Sequence, residues 1–179
     1  MDELTHAGKV TMRSGIIFDL LNPQEEDIDI NDIAHNLSQI CRWNGSTRTF
    51  YSVAEHSVKV YELYASRASM GNEFSRKGAL ACLLHDAEEA YWGDIVQPIK
   101  DIYPKIEERL LDLRYVILKH FNTSYITYIT DIQKYDKQAR EWEWENIVKN
   151  SRVATSHPVI AERQFLGIFD SLYSINHEI

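Results

Sequence analysis

Apolar side chains recur at every third or fourth position along most of this chain, which is the spacing of helices that bury one face. Between residues 103 and 121, for example, Leu110, Leu113 and Ile117 fall on one side of such a helix. Gly, Pro, Asn and Ser separate the periodic segments and predict where the helices end. We predict helices over residues 31–41, 52–67, 73–91, 103–121, 125–149 and 158–175.

A short segment near the start shows a different pattern. Residues 11–21 carry a turn pair, Ser14 and Gly15, between two β-prone stretches, so we expect a small hairpin there. This hairpin is too short to support a sheet-based fold. The sequence therefore predicts an all-α bundle of five to seven helices with a small N-terminal β-hairpin.

Length and charge limit the classes of function. The chain has 179 residues, 44% of them hydrophobic, which is enough to bury a core in a single domain spanning residues 1–179. Its formal net charge of -8 argues against binding to duplex nucleic acid or to a membrane surface, because both need a broad basic footprint. A local basic pocket for a small phosphate compound is compatible with this charge.

The cysteines and the chain start indicate the compartment. Cys41 and Cys82 form no Cys-x-x-Cys motif, which is typical of reduced thiols in a cytosolic protein. Residues 1–10 contain no apolar core of a secretion signal, and no apolar run approaches the roughly 18 residues of a membrane span. We expect a soluble, cytoplasmic protein that does not bind membranes.

The stretch from residue 79 to residue 89 carries the strongest chemical signal. A run of small and apolar residues leads into His85 and Asp86, and a core helix does not end on two such side chains without a partner for them. Both reach one metal ion only if it lies between them at the helix edge. Glu89 would then be close enough to orient a water molecule as a general acid or base. The simpler alternative is a helix-end pair with an ordinary hydrogen bond.

Two further residues complete a possible metal site. A divalent-ion site in a helical bundle needs imidazoles, carboxylates and open positions for water or substrate, and His56 and Asp136 on other helices supply the missing donors. His35 is a weaker alternative for the first histidine. The donor types suit cobalt, manganese, zinc, iron, nickel or magnesium, so the metal stays open. The other histidines are interpreted as structural or solvated: His6, His120, His157 and His177.

Local motifs surround these candidates. SVAEHS contains the first histidine, LHDAEE contains the His-Asp pair, and a Gly-Asp pair and a Pro-Ile-Lys segment follow. Their order, H…HD…D, resembles the HD-domain phosphohydrolase superfamily over roughly residues 12–140. Within it the chain looks like bacterial HD-domain 5′-deoxynucleotidases and phage dATP triphosphohydrolases of the DatZ type. The resemblance implies four metal ligands: His56, His85, Asp86 and Asp136.

The resemblance also implies the catalytic and substrate-binding groups. Glu89 would handle the proton of the attacking water, and Asp94 would either support the site or bind a second ion. Arg42, Trp43 and Lys100 would contact the substrate, since the cations suit phosphate oxygens and the indole offers a flat face to a sugar or base.

One departure from the dATP hydrolases concerns the base. Asn44 and Gly45 follow Trp43 where those enzymes carry bulky side chains, so the base preference is open and Gly45 leaves room for a larger base edge. The expected partner is a small deoxynucleotide. Relatives of this kind imply a homo-oligomer, with Tyr125, Tyr128 and Trp144 as exposed aromatic residues for its interface. A phage-encoded protein would work in the host cytoplasm.

The leading functional expectation is a metal-dependent deoxynucleoside triphosphate triphosphohydrolase, with dATP as the favoured substrate and deoxynucleoside and triphosphate as products. A 5′-deoxynucleotidase acting on monophosphates is the alternative within the same enzyme class. A metal-containing nucleotide-binding module without turnover is the alternative of another class, and an alarmone hydrolase rests on fold analogy alone.

Overall fold

Eight α-helices dominate residues 8–174, the part of the chain that the computed structural model describes. The all-α prediction is confirmed, and the number of helices exceeds the predicted range because two short ones, α4 and α5, follow the His-Asp pair. A π-helical turn, Trp144–Val148, continues α7. The helices are α1 Ile30–Gln39, α2 Val53–Ala65, α3 Glu73–Leu83, α4 Glu89–Trp92, α5 Gln97–Ile102, α6 Pro104–His120, α7 Tyr125–Glu143 and α8 Pro158–Tyr173.

The predicted hairpin is present at the start of the described chain. Strands β1 (Lys9–Thr11) and β2 (Ile17–Asp19) pair antiparallel, with Val10 opposite Phe18. Gly15 adopts a φ of 92° in the turn, a conformation that glycine takes without steric cost. Phe18 is fully buried, so the hairpin covers one end of the helical core.

Capping residues fix where the helices that carry the site begin. The Ser52 side chain accepts a hydrogen bond from the Glu55 backbone amide, and the Glu55 carboxylate accepts one from the Ser52 amide, which is a capping box. Asn72 and Ser124 cap α3 and α7 in the same way with their side-chain oxygens. Helix α3 packs against α2, α7 and α8, so its apolar run lies at the centre of the core.

Helices α2 and α3 approach each other closely at Gly78 of α3. A Cβ atom at this position would collide with the hydroxyl group of Tyr64 on α2. Glycine therefore allows α2 and α3 to lie close together at this point.

The predicted helix over residues 73–91 is confirmed up to Leu83 and again from Glu89, but it is wrong for residues 84–88. Helix α3 ends at Leu83, and the chain then turns through tight hydrogen bonds from the Ala87 amide to the Leu84 carbonyl and from the Glu89 amide to the Asp86 carbonyl. Both bonds span three residues rather than four, which tightens the backbone. Adjacent side chains of a regular α-helix diverge, whereas this turn directs His85 and Asp86 toward one point.

The proposed aromatic interface also needs correction. Tyr125 and Tyr128 are buried, because Tyr125 packs edge-on against Tyr115 and the Tyr128 hydroxyl donates to the Phe74 carbonyl. Trp144 is 49% exposed, as expected.

Cys41 and Cys82 are free thiols. Across residues 8–174, none of the helices has the length and apolarity needed to traverse a bilayer. His6, His177 and the predicted end of the last helix at residue 175 lie outside the described residues.

Candidate metal centre and substrate cleft

Four side chains from three parts of the fold converge on one point. The Nε2 atoms of His56 on α2 and His85 in the turn after α3 lie 3.2 Å apart. Asp86 Oδ2 lies 3.5 Å from the first of these nitrogens and 3.1 Å from the second. Asp136 Oδ1 on α7 lies 3.3 Å from His56 Nε2. The fold thus brings together all four metal ligands that the sequence predicts.

Both imidazoles are held with their Nε2 atoms toward this point. His56 Nδ1 donates to Glu143 Oε1 at 2.5 Å, and His85 Nδ1 donates to the Cys82 carbonyl at 2.9 Å. With Nδ1 engaged as a donor, Nε2 is free to present its lone pair, which is the tautomer that binds a metal ion. The alternative first ligand, His35, lies elsewhere and faces Glu162 Oε2 at 3.2 Å.

The donor set fits a divalent ion. Ligand atoms of His56, His85 and Asp136 all lie within 4.8 Å of one another, and Asp86 adds an oxygen beside the two histidines. Two imidazoles and two carboxylates leave open positions on an ion of the manganese, iron, cobalt or zinc type. Within residues 8–174 no second cluster of three or more such donors occurs, and Asp94 lies outside this one.

The charged groups at the centre shift the pKa values of His56 and Asp86 in opposite directions. Burial and the Arg42 guanidinium lower the pKa of His56, but Glu143 and Asp136 outweigh them and raise it to about 9. Burial would raise the pKa of Asp86, yet His85 and His56 hold it well below the usual range. The lowered pKa keeps Asp86 ionised, which is the form in which a carboxylate binds a metal ion.

Glu89 lies beside the centre without a stabilising partner. It is 3% exposed, it lines the cleft, and its Oε2 has no hydrogen-bond partner. Burial, together with the negative charges of Asp86 and Asp94, raises the pKa of Glu89 well above that of an ordinary glutamate. Such a carboxyl group exchanges a proton more readily near neutral pH, which suits a general acid or base.

A cleft of about 500 Å³ opens above the centre. Helix α5 and the segment before it form one wall, and α7 forms another. Asp94 lies on the first wall; burial raises its pKa, while Arg42 counteracts part of that effect. Lys100, also on this wall, has its Nζ 3.9 Å from Glu107 Oε2. Of the nine residues predicted from sequence, eight line the cleft: Arg42, Trp43, His85, Asp86, Glu89, Asp94, Lys100 and Asp136.

The Arg42–Trp43 segment has an unusual backbone. Trp43, Asn44 and Gly45 all have positive φ values, 58°, 50° and 74°, in a single tight turn. Positive φ is rare for a bulky residue such as tryptophan and persists only where the surroundings hold it. Among the described residues, Trp43 lines the cleft whereas Asn44 and Gly45 do not, and the expectation that Gly45 leaves room for a larger base edge stays a prediction.

Two buried ion pairs at the site were not predicted. Glu143 is fully buried at the end of α7, and Arg42 Nη2 lies 3.6 Å from its Oε2. Glu88, also fully buried, forms a short charged hydrogen bond with Arg114 on α6, and Arg114 Nη2 lies 3.8 Å from Asp86 Oδ1. In the sequence, Arg114 interrupts the apolar face formed by Leu110, Leu113 and Ile117, which is the one signal that points to it.

The chain is similar to known proteins over more than half of its length. Residues 31–149 match the family model described as 5′-deoxynucleotidase YfbR-like. An uncharacterised protein of Rhodobacter capsulatus is 47% identical over 105 residues, which cover 55% of this chain and 52% of that protein. The uncharacterised protein YfdR of Escherichia coli is 42% identical over 96 residues, 52% of this chain and 47% of that protein. The chain thus spans about half the length of these curated relatives.

Proposed function

This chain belongs to the YfbR-like 5′-deoxynucleotidase family, and from that premise we propose that it releases phosphate from deoxynucleoside 5′-monophosphates with the help of a divalent metal ion. The observation that carries the proposal is the convergence of two imidazole nitrogens and two carboxylates at the base of the cleft. A divalent ion there would polarise a phosphate oxygen and acidify a water molecule. The ligands would be His56, His85, Asp86 and Asp136.

The carboxyl groups of the cleft would move the proton. Hydrolysis of a phosphate monoester breaks the bond between phosphorus and the 5′ oxygen, and one proton passes from the attacking water to that oxygen. Glu89 is buried beside the centre and would accept the proton from water. Asp94 lies on the wall formed before α5, and its raised pKa would let it protonate the departing 5′ oxygen.

The charges lining the cleft favour one phosphate over three. Four cationic side chains face five carboxylates there, so the lining carries no excess of positive charge for a triphosphate. All four cations are also engaged with carboxylates: Arg42 with Asp86 and Glu143, Lys100 with Glu107, Arg114 with Glu88, and Arg140 with Asp136. The family supports the same choice, so the monophosphate reaction replaces the dATP triphosphohydrolase as the leading proposal.

The substrate would lie with its phosphate at the centre and its sugar along the mouth of the cleft. Lys100 and Arg42 would bind phosphate oxygens with charge-assisted hydrogen bonds. Trp43 would place its indole against the sugar or base. Since Asn44 and Gly45 are outside the lining, base selection falls to the outer wall, where Gln97 and Gln133 offer amide groups. A cytoplasmic location and a homo-oligomer that uses the exposed Trp144 also remain proposals.

A product assay tests the function. Metal-stripped protein is reloaded separately with manganese, cobalt and zinc and supplied with the four deoxynucleoside monophosphates, their ribonucleotide counterparts and the four triphosphates. The proposal predicts orthophosphate from deoxynucleoside monophosphates. Triphosphate release from dATP would instead support the triphosphohydrolase. Binding of nucleotides without any product under all metals would support a binding module.

A further inference from the structure

Glu143 holds four groups of the site at once. Its Oε1 accepts hydrogen bonds from His56 Nδ1 at 2.5 Å and from the Tyr51 hydroxyl at 3.0 Å. Its Oε2 accepts one from Trp43 Nε1 at 3.1 Å and lies 3.6 Å from Arg42 Nη2. One carboxylate oxygen therefore holds the proposed metal ligand His56, and the other holds the segment formed by Arg42 and Trp43.

Burying the Glu143 carboxylate costs free energy, and its contacts with His56 and Arg42 offset that cost. Glu143 has 0% exposure, and burial would raise its pKa, but His56 and Arg42 keep it below the ordinary value. A buried anion is destabilising unless it is paired and hydrogen-bonded on all sides.

We infer that Glu143 is a positioning residue that ties the metal ligand His56 to the substrate loop formed by Arg42 and Trp43. On the metal side, it fixes the His56 tautomer so that Nε2 faces the centre. On the substrate side, its bond to the indole N–H holds Trp43 in a backbone conformation that the residue would otherwise avoid. The substrate half of this inference rests on the proposed function, whereas the metal half does not.

The spacing of Asp136 and Glu143 along α7 explains why both carboxylates reach the site. Glu143 lies seven residues after Asp136, two turns along α7, so the helix presents both carboxylates to the same side. One helix thereby supplies a metal ligand and the group that orients another ligand. The π-helical turn begins directly afterwards at Trp144, whose ring centroid lies 5.8 Å from that of Trp43.

The substitution Glu143→Gln tests this role, because it removes the negative charge that both sides share and leaves an amide nitrogen that cannot accept a hydrogen bond. We expect manganese affinity to fall by about 10–100-fold in a calorimetric titration, as for other groups that orient metal-bound histidines. The matched control is Glu141→Gln, on the same helix but with its side chain 66% exposed beside Lys137, and it should bind manganese like the wild type.

Nitrogen-15 NMR of zinc-loaded protein observes the His56 Nδ1–H group and the Trp43 indole N–H group directly, without any substrate turnover. The wild type should show a low-field Nδ1–H signal from His56, and Glu143→Gln should move both this signal and the indole N–H signal of Trp43. Glu141→Gln should move neither. If the glutamine variant does not fold, Glu143→Asp is the second variant, and it should weaken manganese binding less than tenfold while shifting both signals.

These outcomes separate the inference from the proposed function. Unchanged manganese affinity in a folded Glu143 variant, or a wild-type spectrum without the His56 Nδ1–H signal, would overturn the inference. A shift of the His56 signal alone would overturn the tie to Trp43. Absence of phosphate release from every monophosphate, with the predicted metal affinities and spectra intact, would overturn only the proposed function.

Discussion

The Nε2 atoms of His56 and His85 lie 3.2 Å apart, and each ring uses its Nδ1 atom as a donor to another group. Two imidazoles in this arrangement aim lone pairs at each other, which is unfavourable unless a cation lies between them. Since neighbouring carboxylates raise the pKa of His56 to about 9, we expect a proton to take this position when no metal is bound. In the metal-bound protein a divalent ion takes its place.

Metal binding should therefore release about one proton below pH 9. Because the folded pKa of His56 lies above the ordinary histidine value, this proton stabilises the metal-free fold below about pH 6.5, and that stabilisation is lost as the pH rises through about 9. Manganese must displace it, so its apparent affinity should rise up to tenfold per pH unit over this interval. Calorimetry at pH 7.5 in buffers of different ionisation enthalpy measures the proton count. A count of zero contradicts the proposed protonation of the metal-free site.

Replacing Glu89 should separate catalysis from metal binding. Glu89→Gln removes the group that accepts the proton of water, so we expect phosphate release to fall by about 10²–10⁴-fold. Manganese affinity should change less than about threefold, because Glu89 is not among the converging ligands. The control Glu108→Gln, exposed on α6, should retain full activity. A glutamine variant that remains fully active would remove Glu89 from the mechanism.

The same substitution should make the metal-free protein more stable. The raised pKa of Glu89 means that folding disfavours its ionised form, so its contribution to stability is lost as the pH rises from about 4.5 through the folded pKa. Glutamine removes that cost. We expect a higher melting temperature at pH 7.5, by about 2–4 °C for each kcal/mol gained, and little difference at pH 4.5. A lower melting temperature at pH 7.5 would contradict the assigned electrostatics.

Lys100 tests how the phosphate is bound. Lys100→Gln removes a positive charge from the cleft wall but touches no metal ligand, so KM for a deoxynucleoside monophosphate should rise about 10–100-fold. Manganese affinity should stay at the wild-type value. Lys105→Gln, an exposed charge at the start of α6, serves as the control and should leave KM unchanged. Equal effects of the two variants would show that only the overall charge of the protein matters.

Gly78 tests the packing of α2 against α3. Gly78→Ala forces a Cβ atom into the Tyr64 hydroxyl group, and we expect it to lower the free energy of unfolding by about 1–3 kcal/mol. Gly167→Ala is the matched control, since it lies in α8 with no atom within 4 Å of the added Cβ, and alanine should stabilise that helix by up to about 1 kcal/mol. Chemical denaturation measures both. A neutral Gly78→Ala would mean that α2 and α3 can separate without cost.

Periodicity accounts for what the sequence could predict. Apolar positions repeat every 3.6 residues along the long helices, so their presence and approximate ends follow from burial of one face. Two of the four converging donors also have a local signature, because His85 and Asp86 end an otherwise apolar run, whereas His56 and Asp136 follow from the order of the motifs. The turn that replaces the helix after Leu83 has no such signature. The residues around this turn are all compatible with a helix. The tighter backbone is favoured only by the contacts that His85 and Asp86 make with each other and with His56.

The buried carboxylates show a second limit. Glu143 stands between Glu141 and Glu145 in a strongly polar segment, so its sequence context indicates a solvated residue. Its burial depends on Tyr51 and His56, about ninety residues earlier in the chain. Only its spacing of seven residues from Asp136, together with the flanking tryptophans, hints at an inward position. Contacts of that separation cannot be read from one sequence.

The most direct measurement is phosphate release from deoxyadenosine monophosphate as metal-stripped protein is titrated with manganese, at a protein concentration well above the dissociation constant. Because His56, His85 and Asp136 form one cluster with Asp86 beside it, we expect one ion per chain. Activity should be negligible without metal, rise linearly and reach a plateau at one equivalent, and an Asp136→Asn variant should need a large excess. Activity that is indifferent to manganese, or that is absent at every metal level, would contradict a metal-dependent deoxynucleotidase.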